Sequence, residues 1–126
     1  MPKYDAENFD PSAPVATVTI RNPTTGASLS DVPMLIDTGA DVTLLPREYV
    51  SKLDVETQSE AYEVQGYDGE ISLADAVKLE MVFLDRKFTG QFLLIDQSIG
   101  ILGRNVLNVI PILFNGPAEV WEEFKP

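Results

Sequence analysis

The chain has 126 residues, 44% of them hydrophobic and 23% charged, which is the balance of one ordinary folding domain with a single core. It contains no histidine and no cysteine, so Ser-His-Asp and Cys-His catalysis, Cys/His zinc sites, thiol redox chemistry and disulfides are all excluded. Nine basic residues against twenty acidic ones give a formal charge of −11, the wrong sign for gripping a phosphate backbone, so no nucleic-acid partner is expected. Chemistry is left to carboxylates, hydroxyls and five lysines. No stretch approaches the roughly 18 apolar residues of a spanning helix. The opening Met-Pro-Lys-Tyr-Asp-Ala-Glu lacks the basic start and apolar middle of a signal peptide, so a cytoplasmic protein without a membrane partner is expected.

Residues 1–14 carry three prolines, three acids and only Tyr4 and Phe9 as aromatic anchors, which reads as an extended N-terminal arm preceding a domain over 15–126. From Val15 the chain alternates, with Ala16, Val18 and Ile20 on one side and Thr17, Thr19 and Arg21 on the other, as in a half-buried strand. Asn22-Pro23-Thr24-Thr25-Gly26 is dense in turn formers and predicts a reversal into a second strand over Val32 to Ile36. Pro46 ahead of Tyr49 and Leu53 suits a short helix with proline in its first turn.

Residues 61–73 read as a hairpin with Gly66-Tyr67-Asp68-Gly69 at its tip. Val77, Leu79, Met81 and Phe83 then alternate, Asp85-Arg86-Lys87 turns the chain, and a strand follows from Phe88 to Ile95. A short helix over Asn105 to Val109, a strand over Ile110 to Phe114, the turn Asn115-Gly116-Pro117 and a last strand through Val120 and Trp121 complete the chain. Short strands with one or two brief helices indicate an all-β domain without internal repeats.

The chemistry is concentrated in Met34-Leu35-Ile36-Asp37-Thr38-Gly39-Ala40-Asp41-Val42-Thr43-Leu44-Leu45. An aspartate between apolar runs is carried to the end of a buried strand, where desolvation opposes its ionisation. Gly39 lets the backbone turn tightly toward that carboxylate, and the Thr38 hydroxyl and nearby amides can orient it. A bare Asp-Thr-Gly also fits a plain Asx-turn between two strands.

The segment Leu35 to Leu45 closely resembles the active-site segment of the retropepsins, the retroviral-type aspartic proteases. Gly100-Ile101-Leu102-Gly103-Arg104-Asn105-Val106-Leu107 resembles that family's second signature, and Gly66 to Gly69 lies where the family carries its flap. The resemblance covers roughly residues 15–115, is nearest to the cellular and bacterial members, and implies a retropepsin-like half-barrel, one per chain, in a two-fold homodimer. It implies Asp37, Thr38 and Gly39 as catalytic residues, with Thr38 reaching across the two-fold axis and Gly39 presenting its carbonyl to substrate. Ala40, Asp41, the flap residues Gly66, Tyr67, Asp68 and Gly69, and Ile101 and Leu102 are implied to contact an extended polypeptide. Asp41 and Arg104 match positions that form an intrachain ion pair in retroviral members. No metal or other cofactor is implied.

The residues themselves support this chemistry. Amide hydrolysis without histidine, thiol or metal can be done by two carboxylates sharing one proton, and a chain with one Asp-Thr-Gly must take the second from another copy. Core or pocket-wall positions are expected for Leu35, Val42, Ile101 and Leu102. Trp121, with Val120 and Phe124, is expected to pack the last strand against the body or a partner. In the shortest retroviral enzymes both termini interleave at the dimer interface, whereas here Pro117 to Pro126 runs on and the arm is long. A non-catalytic dimerisation or peptide-binding module is the competing reading, and a protease whose arm blocks its own cleft is a third.

Overall fold

The computed structural model describes the backbone of residues 1–65 and 71–126, and the side chains of 1–57 and 75–126. Ala16, Val18 and Ile20 are buried while Thr17 is exposed, so β2 (Ala13–Arg21) is the half-buried strand that its alternation predicts, begun two residues before Val15. The Asn22 side chain organises the reversal: its carbonyl oxygen accepts the Thr24 amide at 2.9 Å, and its amide donates to the Leu53 carbonyl at 3.0 Å. β3 (Ser28–Ile36) returns antiparallel to β2, pairing from Arg21↔Ser28 to Val15↔Leu35.

A register shift between Val18 and Ile20 accompanies a second partnership, because Thr19 to Arg21 also pair with Val82 to Glu80 of β6 (Ile71–Phe83). Bulges bend a strand, and this one lets β2 serve two neighbours. The sheet also contains β4 (Leu44–Pro46), β5 (Thr57–Gln65), β7 (Arg86–Ile95) and β8 (Gly100–Leu102). With the β2–β6 pairing, the order β2-β3-β8-β4-β7-β6 closes on itself as a six-stranded barrel, β5 lying outside β6. Val18, Ile20, Val32, Met34, Leu45, Leu79, Met81, Phe83 and Leu102 fill it. The domain is all-β, as expected, and the described residues include two four-residue helices, α1 (Arg47–Val50) and α2 (Arg104–Leu107), and one 3-10 turn, Ser51–Leu53. No helix among the described residues is long and apolar enough to cross a membrane.

Several boundaries differ from expectation for identifiable reasons. The β6–β7 turn is the two-residue Leu84-Asp85, both at positive φ (50° and 62°), and Arg86 is already in the strand opposite Phe83. Two successive positive φ angles are the hairpin geometry that follows strand twist, but leucine rarely takes the first position, so the composition pointed one residue too far on. β4 and β8 are three residues each and too short to show alternation. The arms of the 61–73 hairpin do pair, from Thr57↔Val77 to Gln65↔Ile71, while its tip, Gly66 to Gly69, lies outside the described residues.

The N-terminal segment pairs within its own chain. β1 (Tyr4–Asp5) pairs with Pro14 and Ala13, and Lys3 bridges to Val120 of β10 (Val120–Glu123). The Tyr4 amide donates to the Glu119 carbonyl at 2.8 Å, the Trp121 amide donates to Pro2 at 3.0 Å, and the Ser12 hydroxyl bonds the Glu119 carboxylate. β10 forms a hairpin with β9 (Ile112–Asn115) in the register Asn115↔Val120 to Ile112↔Glu123. Arg86 reaches Glu123 at 3.1 Å, and this hydrogen-bonded guanidinium holds the Glu123 carboxyl below its ordinary range. Trp121 packs on the body of its own chain, 2% exposed, its ring tilted against Phe83 at 6.1 Å and its indole N–H donating to the Val15 carbonyl at 3.1 Å. Replacing Trp121 with alanine is expected to lower the unfolding free energy by about 3–5 kcal/mol, read as a lower urea midpoint in far-UV circular dichroism.

Candidate active site

The site is built by a strand insertion. β3 and β4 are neighbours in sequence but not in the sheet, because β8 lies between them, parallel to β3 (Met34↔Gly100 to Ile36↔Leu102) and antiparallel to β4 through Leu44↔Ile101. The segment from Asp37 to Thr43 must therefore cross the end of β8. Two glycines permit the insertion: a Cβ on Gly100 would lie 2.5 Å from the Leu44 carbonyl oxygen and from Met34 Sδ, and one on Gly103 would lie 2.2 Å from the Val42 carbonyl oxygen. No side chain fits at either position, which is the physical content of the Gly-Ile-Leu-Gly spacing.

Asp37 immediately follows the buried end of β3, and its amide donates to the Leu102 carbonyl at 3.0 Å, extending the ladder by one residue. Its Oδ1 accepts the Gly39 amide at 2.9 Å, and its carbonyl accepts the Ala40 amide at 3.2 Å. The carboxylate is thus placed at a strand end and oriented by the turn that follows it. In the single chain Asp37 and Ala40 are half-buried, while Thr38 and Gly39 are exposed. The Asx-turn considered for this motif is therefore present, and it serves to fix the carboxylate.

Residues 103–105 are sewn to this loop by five hydrogen bonds. Backbone amides of Arg104 and Asn105 donate to the carbonyls of Ala40 (2.8 Å) and Asp41 (3.3 Å). The Gly103 amide donates to Thr43 Oγ1 at 3.1 Å, and the Thr43 hydroxyl donates to Asn105 Oδ1 at 2.8 Å. Arg104 Nη1 donates to the Thr38 carbonyl at 2.8 Å. Thr43, 2% exposed, is a positioning residue that the sequence reading did not single out. Its signal was a lone hydroxyl within the apolar run Val42 to Leu45, a place that requires a partner.

Two assignments are corrected. Among the described residues no ion pair joins Asp41 and Arg104; the guanidinium is committed to the Thr38 carbonyl, and Asp41 is exposed, where hydration competes with any ion pair. Leu102 is fully buried in the core, so its side chain does not face a cleft; it serves the site through the carbonyl that holds the Asp37 amide. Ile101, one residue earlier and on the opposite face of β8, is half-buried, as are Leu35 and Val42. The flap positions Gly66, Tyr67, Asp68 and Gly69 are outside the described residues. No group of His, Cys, Asp or Glu able to hold a metal ion occurs among the described residues.

A closed six-stranded barrel with an Asp-Thr-Gly loop crossing an inserted strand is the fold of a retroviral-type aspartic protease. The aspartyl protease family matches residues 16–106, and the chain belongs to that family, in its retropepsin-like branch. Among solved structures it is similar to EIAV protease in complex with the inhibitor HBY-793, at 22% identity and a TM-score of 0.57, covering 84% of this chain and 91% of that one. That likeness bears on the fold. No curated protein matches with significance.

Thr43→Val keeps the side-chain volume but strips the hydroxyl, leaving the buried Gly103 amide without an acceptor. The expected loss is about 1–3 kcal/mol of stability by chemical denaturation, with Thr43→Ser recovering most of it.

Proposed function

We propose that this protein is an aspartic endopeptidase, active as a homodimer whose two Asp37 carboxylates share one proton. The observation that carries the reading is the Asp37 carboxylate itself, held at the end of β3 by the Gly39 amide on an exposed loop, in a chain that belongs to the aspartyl proteases. Each chain supplies one such carboxylate, and two facing carboxylates cannot both ionise at close range. The ionised member takes a proton from a water molecule as the water oxygen attacks the peptide carbonyl carbon, and the protonated member gives its proton to the carbonyl oxygen. Collapse of the resulting diol breaks the C–N bond: the departing nitrogen takes the proton of one carboxyl while a diol hydroxyl gives its proton to the other, leaving a carboxylic acid, an amine and a dyad that again holds one proton.

The substrate is an extended polypeptide segment with apolar side chains flanking the cut, bound by strand addition between the subunits. Thr38, at the exposed front of the loop with its carbonyl held by Arg104, is positioned by this reading to meet the partner's loop across the two-fold axis. Gly39 and Ala40 present backbone to the substrate under this reading, and exposed Asp41 is a further substrate contact. The protein acts in the cytoplasm under this proposal and uses no cofactor.

Asp37→Asn is expected to abolish cleavage of a diverse peptide library, because an amide cannot alternate between acid and base, and a pepstatin-like mimic should inhibit the wild type. Cleavage that survives the substitution would overturn the assignment, and binding without cleavage by the wild type would favour the non-catalytic module.

Charge sets a second expectation. Each chain carries −11, so a dimer carries 2 × (−11) = −22, and this repulsion opposes assembly of the dyad at neutral pH and low salt. Added salt screens it over a Debye length of roughly 8 Å at physiological ionic strength, and mild acid removes charge. Specific activity at neutral pH should therefore rise with salt and with protein concentration, with an optimum on the acid side of neutrality. Sedimentation velocity and cleavage rates measured on the same samples check this, and a tight dimer indifferent to salt would refute the repulsion argument.

A further inference from the structure

β8 is held differently at its two ends. At its exit, Gly103, Arg104 and Asn105 are sewn to the Asp37 loop by backbone and side-chain hydrogen bonds. Its entrance is the connection 96–99, which leaves β7 and has to pass the end of β4, because β4 lies between β7 and β8 in the sheet. The register fixes the crossing point: Pro46↔Ile95 ends the β4–β7 ladder, and Leu44↔Ile101 pairs β4 with β8. The two connections are therefore counterparts, 37–43 crossing the end of β8 and 96–99 crossing the end of β4.

At the second crossing the fixed contact is one guanidinium. Arg47, the first residue after β4, donates from Nε to Asp96 Oδ1 at 2.6 Å, and its Nη1 reaches Asp75 Oδ2 on β6 at 3.1 Å. It thus ties together the ends of three strands that are neighbours in the order β4-β7-β6. Two nitrogens of a rigid planar fork aimed at two carboxylates set direction as well as distance, which the point charge of a lysine does not. Beside this clasp Pro46 is fully buried, and Gly100 comes so close that a Cβ on it would lie 2.8 Å from Pro46 Cδ. The side chains of Arg47, Asp75 and Asp96 are between 39% and 79% exposed, and ion pairs so wet add little to folding stability. What they do fix is the place from which the chain enters β8, two residues before Ile101 on its half-buried face.

We propose that Arg47 is a positioning residue for substrate: by clasping Asp96 and Asp75 it sets where the 96–99 connection enters β8, and so where Ile101 meets the polypeptide. The proposal rests on the protease reading and adds to it a residue that acts without touching the reacting atoms. Since the Asp37 loop is bonded to the other end of β8, releasing Arg47 shifts the wall that the substrate meets and leaves the carboxylates in place. Binding is then lost equally from the ground state and the transition state, so KM rises while kcat holds.

Arg47→Gln removes the fork, and Lys52→Gln removes the same charge from the adjoining 3-10 turn, where the ammonium lies over the Tyr49 ring at 5.2 Å. With one peptide substrate, at a concentration where wild type sediments as a dimer, Arg47→Gln is expected to raise KM about three- to tenfold at unchanged kcat, tenfold being what two exposed ion pairs can carry. Lys52→Gln should leave both constants at wild-type values, and Arg47→Lys should recover part of the loss. Asp96→Asn should also raise KM and add little when combined with Arg47→Gln, because the two remove one contact. Hydrogen exchange read by mass spectrometry should quicken over 96–100 in Arg47→Gln and stay unchanged over 103–107, with an unchanged urea midpoint. Asp96→Asn carries the test if Arg47→Gln fails to fold. A wild-type KM in both variants, a loss confined to kcat, or KM effects that simply add overturns the positioning role and leaves the protease reading standing. If wild type binds the peptide without cleaving it, the protease reading falls and the same shift is read in the peptide Kd: weaker binding by Arg47→Gln upholds the positioning role, and an unchanged Kd overturns it. A wild type that neither binds nor cleaves peptides overturns both.

Discussion

Everything in the site depends on β8 being forced between β3 and β4, with the Gly103 amide donated to the buried Thr43 hydroxyl as the closure of that insertion. The insertion turns residues 37–43 from a simple connection into a bridge over the end of another strand. A bridge of that kind cannot collapse into the core, so Asp37 stays at the strand end with its carboxylate oriented by the Gly39 amide. The two glycines of β8 and its exit are required by backbone contact, since any Cβ there would meet a carbonyl oxygen at or below 2.5 Å. Sequence motifs some 60 residues apart are thus parts of one local object, bonded directly by the Arg104, Asn105 and Gly103 contacts to the loop.

The same economy extends to electrostatics. Acidic groups within the described structure are tied where they brace the barrel: Glu80 to Arg21 on the β2–β6 seam, Asp75 and Asp96 to Arg47 at the start of α1, and Glu123 to Arg86 at the end of β10. The doubly paired Arg47 is held in its charged form by Asp96 first and Asp75 second. Three of the four arginines are used in this way, and the fourth, Arg104, orients the active-site loop through the Thr38 carbonyl. Ion pairs at or near the surface add little stability individually, but they fix which element ends lie together. The uncharged run from Asn105 to Ala118 is the contrast, and it occupies the side of the molecule where the loop is exposed.

The sequence by itself determined the class of fold, the position of the carboxylate and the chemistry left open to it. These are local or compositional properties: alternation with period two in β2 and β6, turn chemistry at Asn22 to Gly26, a lone Asp-Thr-Gly between apolar runs, and the lack of histidine and cysteine. Tertiary structure alone decided the rest. It took Arg104 to the Thr38 carbonyl instead of the Asp41 carboxylate, buried Leu102 in the core, made Thr43 a link between two motifs, and laid the N-terminal segment along β10. Each of these turns on contacts made between residues about 60 to 120 positions apart, which period and propensity do not encode. A guanidinium goes to the nearest acceptor that the packed backbone presents, and which acceptor that is becomes fixed only when β8 has entered the sheet.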